Sequence, residues 1–300
     1  MTARPLTPMS APAPGPRRGF WTRRTLIMVF LLLCLIYFIM PLSWLIVSST
    51  KTNADLFTTF GLWFGSGFNL FTNIHDVFAR DGGVYREWLW NTVYYATCSA
   101  VGASLVATLA GYTFAKFKFP GKRVVFALVL GSILIPLTAL AVPTYLLLSK
   151  IGLINTPLAV ILPSLVSPFG VYLMRIYTEQ AVPDELLDAA RMDGANELRI
   201  FVSVVLRIVA PGFVTVLLLS FVGTWNNYFL PLLVLNKPDL YPLTVGLASW
   251  NALAGEGGGA QILFSIVLTG ALIAVVPLIA AFLLLQRYWQ SGLTFGSVKA

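Results

Sequence analysis

Six stretches of this chain, at about 24–47, 88–114, 124–148, 156–174, 211–235 and 261–285, carry no charged residue apart from Arg24 at the edge of the first. Each approaches or exceeds the roughly 20 apolar residues needed to cross the hydrocarbon core of a bilayer. Backbone polar groups in hydrocarbon must be satisfied within the chain, so runs of this kind fold as helices. Composition closes off a water-soluble alternative. Of 300 residues, 57% are hydrophobic and only 11% charged, against about a quarter charged in a soluble domain. The expected fold is all-α, a polytopic membrane protein with six transmembrane helices.

The net charge of +8 is a signal of topology rather than of nucleic-acid binding. Fifteen of the twenty basic residues fall before or at the opening edge of the first stretch (Arg24), at 116–123, at 175–207 and after the last stretch; Lys51, Arg80, Arg86, Lys150 and Lys237 are the remainder. Lys and Arg concentrate in cytoplasmic loops, so both termini and the 175–210 connection are expected in the cytoplasm, as for a multi-pass protein of the inner cell membrane. Four regions follow. Residues 1–23, with Pro5, Pro8, Pro12, Pro14 and Pro16, read as a disordered cytoplasmic arm. Residues 24–87 hold the first transmembrane helix and an extracytoplasmic segment. Residues 88–286 form a five-helix core with a cytoplasmic loop at 182–210, and 287–300 a cytoplasmic tail. The apolar run after Arg17 and Arg18 exceeds a signal peptide's core, so it reads as an uncleaved span. Trp63, Trp88, Trp90, Trp250 and Tyr241 are expected at the outer boundary, where amphipathic rings favour the interface. Pro136, Pro143, Pro157, Pro163 and Pro168 predict bent helices in the third and fourth stretches.

Several function classes lose support. Proton-driven carriers and voltage sensors need ionisable groups at membrane depth, and the six stretches offer none away from their ends. A sodium site lined by carbonyls is still compatible. The run "PGKR" at 120–123 lacks the glycine-rich lead and the Ser/Thr of a nucleotide-binding loop. His75 stands alone, and Cys34 and Cys98 lie inside predicted spans as unpaired thiols. A membrane enzyme such as a lipid-linked sugar transferase would need clustered charged residues facing its substrate, and no such cluster is present. The chain carries neither a catalytic constellation nor an energy source, and no metal site is expected.

One block breaks the apolar pattern. Asp184, Glu185, Asp188, Asp193 and Glu197 place five of the twelve acids within 184–197. Pro183 suits a first helical turn, and Asp184 and Glu185 complement the helix dipole. Gly194 is placed for a left-handed stop. Asn196 can cap a second helix in which Leu198, Phe201, Val202 and Val205 keep amphipathic spacing against the cytoplasmic membrane face. Ala189 and Ala190 present a flat surface, rimmed by Asp188, Arg191 and Asp193, to which a soluble motor could dock. An ordinary solvated loop is the plain alternative. In the fifth stretch, Trp225, Asn226, Asn227 and Tyr228 form an aromatic–amide cluster. It reads equally as a hydrophilic pore wall or as interhelical hydrogen bonding.

The phrase "DELLDAARMDGANELRIF" at 184–201 resembles the EAA loop of ATP-binding-cassette importer permeases. Asp188, Ala189, Ala190 and Gly194 stand at the named positions of that motif. Asn91, "TWNNYFLPLL" at 224–233 and "GLTFGSVKA" at 292–300 extend the likeness to sugar-importer permeases of the maltose type. Two departures stand out: Asp188 replaces the usual Glu, and Leu206–Arg207 replaces Leu-Pro, with Pro211 later. The resemblance implies half of a pore, completed by a second homologous permease and driven by two copies of a cytoplasmic ABC ATPase. An extracytoplasmic solute-binding protein would deliver the sugar, most simply a di- or oligosaccharide. ATP and magnesium would be bound by the ATPase, with no cofactor in this chain, and the surroundings would be membrane lipid. The C-terminal tail, with Gly292, Gly296 and Lys299, would reach the ATPases. A permease for a polyol or glycerol phosphate is the neighbouring alternative, and a secondary carrier a more distant one.

Overall fold

The computed structural model describes residues 18–136, 138–255 and 263–294. It is all-α, and each of the six apolar stretches forms helix, three of them without interruption and three in pieces. The unbroken ones lie within α1 (Arg18–Ser49), α4 (Val84–Lys116) and α15 (Leu263–Thr294). Between α1 and α4 come α2 (Asn53–Thr58), α3 (Leu70–Ala79) and a short 3-10 turn, Arg80–Gly83, in which Asp81, Gly82 and Gly83 adopt positive φ.

Three predicted spans are broken, each for a local reason. The third divides into α5 (Lys122–Ser132) and α6 (Ala141–Lys150), separated by turns around Pro136. Each piece rises only about 16 Å, too short to cross alone. The fourth divides into α7 (Leu158–Ser164) and α8 (Pro168–Ala181), which meet at 40°. There Pro163 sits in the last turn of α7 and Pro168 opens α8, while Ser167 accepts a capping bond from Gly170 N. The prolines thus mark helix starts and ends more than kinks. After the loop helices α9 (Asp184–Met192), α10 (Glu197–Ile200) and α11 (Leu206–Ile208), the fifth span forms α12 (Ala210–Trp225). It was expected as one helix over 211–235, yet it stops at Trp225 and resumes as α13 (Phe229–Val234). α14 (Leu243–Gly255) was not foreseen.

α4 is the central mast. It packs against both α8 and α12, and its 33 residues give a length of about 50 Å. Its contact face is built from small residues: Ala96, Ala100, Ala103, Ala107 and Gly111 are buried, which lets neighbouring backbones approach closely. At Gly111 a Cβ would lie 2.6 Å from Met174 Cβ and 2.7 Å from Arg175 N, so α8 crosses there almost backbone to backbone. One apolar core lies under the 182–209 loop, around Tyr112, Met174, Leu187, Ile200 and Val205. Another closes the opposite end of α4, around Val77, Tyr85, Trp88, Trp225 and Trp250.

That second core corrects one expectation. Trp88 and Trp250 are not interfacial rings: both are buried, their rings 4.7 Å apart, and Trp250 Nε1 donates to Asp81 Oδ2 at 2.9 Å. Each indole N–H has a partner, Trp88 Nε1 donating to the Pro238 carbonyl at 2.8 Å, so full burial leaves no donor stranded. Trp63 and Trp90 do stay exposed, and Tyr241 is partly buried.

Candidate functional site

The acidic block folds as a helix, a glycine turn and a second helix beneath the end of α4. Pro183 is extended and stands at the N-cap of α9, just ahead of its expected first-turn position, so Asp184 and Glu185 open the helix. Gly194 takes φ +77° and stops it as expected. Its N–H bonds the Arg191 carbonyl at 3.0 Å and Ala195 N bonds the Ala190 carbonyl at 3.1 Å. These are the paired bonds of a Schellman turn, which satisfy carbonyls that the helix end would otherwise leave open. Asn196 then caps α10 by accepting from Arg199 N at 2.9 Å.

Two ionic links fasten this loop. Lys116 Nζ, at the end of α4, donates to Asp184 Oδ1 at 2.6 Å. Arg191 spans the glycine turn: Nη1 donates to Asp188 Oδ1 and Nε to Glu197 Oε1, each at 2.8 Å. Tyr112, buried on α4, donates its hydroxyl to Glu197 Oε2 at 3.3 Å. The bond from Lys116 holds the Asp184 carboxyl below its usual range, and the bond from Arg191 does the same for Glu197. Depressed carboxyl pKa values mean that the links are present at any pH above the ordinary carboxylate range. They are lost only when acidification passes the lowered values. Both carboxylates are well exposed, so the links act by fixing geometry more than by adding stability.

The expected docking residues separate into two groups. Asp188 and Ala189 are exposed, and Asp193 is the exposed C-cap of α9. Ala190 is not on the outer surface. It is half-buried and packs with Leu187 on the core beneath. Arg191 is not a free rim charge either, because its guanidinium is taken up by Asp188 and Glu197. The apolar outer face consists instead of Leu186, Ala189 and Met192, the last 89% exposed.

The second helix also departs from its expected face. Phe201 and Val205 are buried, but Leu198 and Val202 are exposed, while Ile200 and Val209 join the core. Leu198 lies in α10, ahead of a π-helical turn at Phe201–Val205 that explains the change at Val202. Each residue in it advances less around the axis than in an α-helix, so the i, i+3, i+4 ladder no longer tracks one side. The chain then turns by 82° at Val209 into α12.

Trp225, Asn226, Asn227 and Tyr228 do not lie along one helical wall. Trp225 is buried against Phe221 in the far core, and the next three residues form the break before α13. Asn226 Nδ2 returns to the Val222 carbonyl at 3.0 Å. Asn227 Oδ1 accepts from Leu230 N at 3.4 Å, and its carbonyl accepts from Thr244 Oγ1 at 2.8 Å. Only Asn226 and Tyr228 are well exposed. Asn227→Leu removes the side-chain bond at the start of α13, a loss of about 1 kcal/mol by analogy with helix caps. In the importer that the resemblance implies, it is expected to lower substrate uptake several-fold while leaving assembly intact. Failure of the subunits to associate would mark Asn227 as a packing residue.

Gly292 has its backbone in α15, whereas Gly296 and Lys299 lie outside the described residues. The sequence reading missed the roles of Lys116, Tyr112 and Glu197. Lys116 and Glu197 were legible as charges, but the Lys116–Asp184 and Tyr112–Glu197 contacts span 68 and 85 residues, and no local pattern announces such pairs.

Comparison with known proteins agrees with this architecture. The family described as binding-protein-dependent transport system inner membrane component matches residues 103–294, from within α4 to the end of α15. The arabinooligosaccharides transport system permease protein AraQ of Halalkalibacterium halodurans is 36% identical over 219 residues, covering 73% of this chain and 76% of the relative. The lactose transport system permease protein LacG of Rhizobium radiobacter is 31% identical over 265 residues, covering 87% of this chain and 91% of the relative. A chain from the crystal structure of a bacterial ABC transporter involved in the import of the acidic polysaccharide alginate shares the fold. Its TM-score is 0.78 at 20% identity, over 92% of this chain and 100% of that one. With the matched region holding the whole helix–glycine–helix loop and the helices that carry it, the chain belongs to the family of inner membrane components of binding-protein-dependent transport systems.

Proposed function

We propose that this chain is one of two homologous permease subunits of an ABC importer for a di- or oligosaccharide, and that an ATPase grips its 182–210 loop. The observation that carries the reading is the build of that loop. α9 turns Leu186, Ala189 and Met192 outward, is backed by Leu187 and Ala190, and is tied to α4 through Lys116–Asp184 and through Arg191, Glu197 and Tyr112. A push on α9 is therefore delivered to the longest buried helix of the bundle as well as to α8 and α12. Residues 88–286 act as the five-helix permease core, and the tail with Gly292, Gly296 and Lys299 reaches the ATPases.

Two copies of the ATPase bind ATP and magnesium and carry out hydrolysis, one engaging this chain and one its partner permease. A solute-binding protein supplies sugar at the outer mouth. The oligosaccharide relatives support the substrate class, and the basic residues around the loop support cytoplasmic termini.

The test is reconstitution of the two permeases with their ATPase in proteoliposomes, followed by uptake of labelled oligosaccharide. Uptake should require ATP and the binding protein. Accumulation by this chain alone, without ATP, would replace the importer reading with a secondary carrier. Orientation is checked separately with single cysteines at Lys118, Met192 and Lys237, all exposed. Only position 237 should react with an impermeant thiol reagent in intact cells. Labelling at 192 from outside would overturn the docking assignment.

A further inference from the structure

The segment between α1 and α4 has its polarity inside out. Residues 56–75 contain no Asp, Glu, Lys or Arg. Phe57, Phe60, Trp63, Phe68 and Phe71 are each 62–77% exposed, and Phe64 is 49% exposed. The polar groups of the same region point inward. Lys51 is 1% exposed, with Nζ donating to the Phe60 carbonyl at 2.8 Å. Asp55 is buried and accepts from Ser66 Oγ at 3.0 Å. Asn73 is buried and donates from Nδ2 to the Ser49 and Lys51 carbonyls, both at 2.9 Å, closing the end of α1.

This is an ordered structure. α2 is capped by Thr52, Asn69 N bonds the Thr50 carbonyl at 2.8 Å, and Phe57 meets Phe264 of α15 edge-on at 5.5 Å. A segment that orders its polar groups inside and leaves six rings outside is built for a solvent less polar than water. Its place in the fold agrees. It sits at the end of α4 opposite the 182–209 loop, about 50 Å away along that helix, and so on the other face of a hydrocarbon core about 30 Å thick. The chain enters it directly from α1, most of whose apolar side chains are exposed along the membrane-spanning stretch. Beside it a cavity of about 330 Å³ is walled mostly by apolar side chains, among them Trp44, Leu56, Phe57 and Phe264, with Ser48, Lys51 and Asn251 also lining it, a recess that an acyl chain can enter.

We infer that residues 56–71 lie in the interfacial layer of the outer leaflet, with Phe57, Phe60, Trp63, Phe64, Phe68 and Phe71 set among phospholipid headgroups and upper acyl chains. Aromatic rings favour that layer, and a segment held there braces the outer ends of α1 and α15 against the bilayer surface. A surface for a protein that docks and leaves is ordinarily polar at its rim, and this one has no charged residue across twenty consecutive positions. The inference does not depend on the identity of the transported substrate.

The experiment uses the assembled transporter in phosphatidylcholine–phosphatidylglycerol vesicles. Cys34 and Cys98 are replaced by serine, and a single spin label is placed at Trp63, at Phe71 or, as the water-exposed reference, at His75. Labels at 63 and 71 should collide with oxygen more than with a nickel chelate, with the ratio reversed at 75. A lipid-borne diazirine supplies a measurement on the unaltered chain, and its label should be enriched in the tryptic peptide covering residues 52–80. Nickel accessibility at 63 and 71 equal to that at 75, with no photolabelling, overturns the inference. So does nickel access that the solute-binding protein blocks, which would make the surface a protein-docking face. Low access to both reagents would assign it to the partner permease instead and overturn it too.

Discussion

Gly111→Val should lower both the recovery and the melting temperature of the folded complex. At this position α4 and α8 meet backbone to backbone, with the new Cβ only 2.6 Å from Met174 Cβ, 2.7 Å from Arg175 N and 2.8 Å from Met174 C. A flexible side chain could rotate away from such a contact, but two of these three atoms are main chain. The helices must separate, and overpacking of this kind costs about 1–3 kcal/mol or more. In a chain of this size that corresponds to a fall in melting temperature of roughly 2–6 °C. The contact also lies in the core that supports the loop, where Met174 packs with Tyr112 and Leu187, so the surface proposed to bind the ATPase should be lost with it. Gly111→Ala should show a smaller effect of the same sign. Gly131→Ala is the control: it is helical, with open space around its Cβ, and should be neutral or slightly stabilising. An unchanged melting temperature for Gly111→Val in detergent would show that α4 and α8 do not pack this closely.

The second large effect is expected at the glycine turn, without damage to the bundle. Gly194 has φ +77° and nothing within 4 Å of an added Cβ, so only backbone conformation penalises a substitution. A β-branched residue in the left-handed region costs more than the roughly 1–2 kcal/mol of an ordinary residue. The turn escapes that strain by rotating φ, which breaks the bonds from Gly194 N and Ala195 N and swings Arg191 away from Glu197. Gly194→Val should therefore insert and pair normally, yet lose most ATPase co-purification or uncouple hydrolysis from uptake. Gly194→Asn should keep most of both, since asparagine tolerates this conformation. Ala189→Trp reaches the same outcome by bulk alone, because Ala189 is exposed on an intact loop. Normal co-purification and substrate-stimulated hydrolysis in Gly194→Val and Ala189→Trp together would reduce the block to a solvated connection.

These contrasts also show which parts of the structure sequence reasoning can reach. Gly194 and Asn196 were legible because a turn and a cap depend on a residue's own backbone and its near neighbours. The six apolar stretches were legible because hydrocarbon imposes a length and a composition. The break at Asn226–Tyr228 was hidden, since hydropathy records how apolar a run is and not where its helix pauses. The inward turn of Ala190 depends on how α9 packs on the core beneath it, and the exposure of Val202 on the π turn at 201–205, which shifts a face by a fraction of a helical turn and leaves no compositional mark. Trp88 and Trp250 were misplaced because an interfacial ring and a buried ring with a satisfied N–H look alike until the partners, Asp81 and the Pro238 carbonyl, are known.

The position of α15 has a consequence for biosynthesis. α1 is the earliest described helix to leave the ribosome and α15 the last, yet their outer ends meet. Ser265 N bonds Asn53 Oδ1 at 3.4 Å across 212 residues, and Phe264 closes on Phe57. α1 buries none of its spanning window, so it can be threaded into the bilayer and wait there without a neighbour. Helices that are individually stable in lipid can associate later. The outer end, however, cannot close until translation has passed Leu263. A nascent or truncated chain lacking α15 therefore presents a folded 182–209 loop and an unfinished outer side.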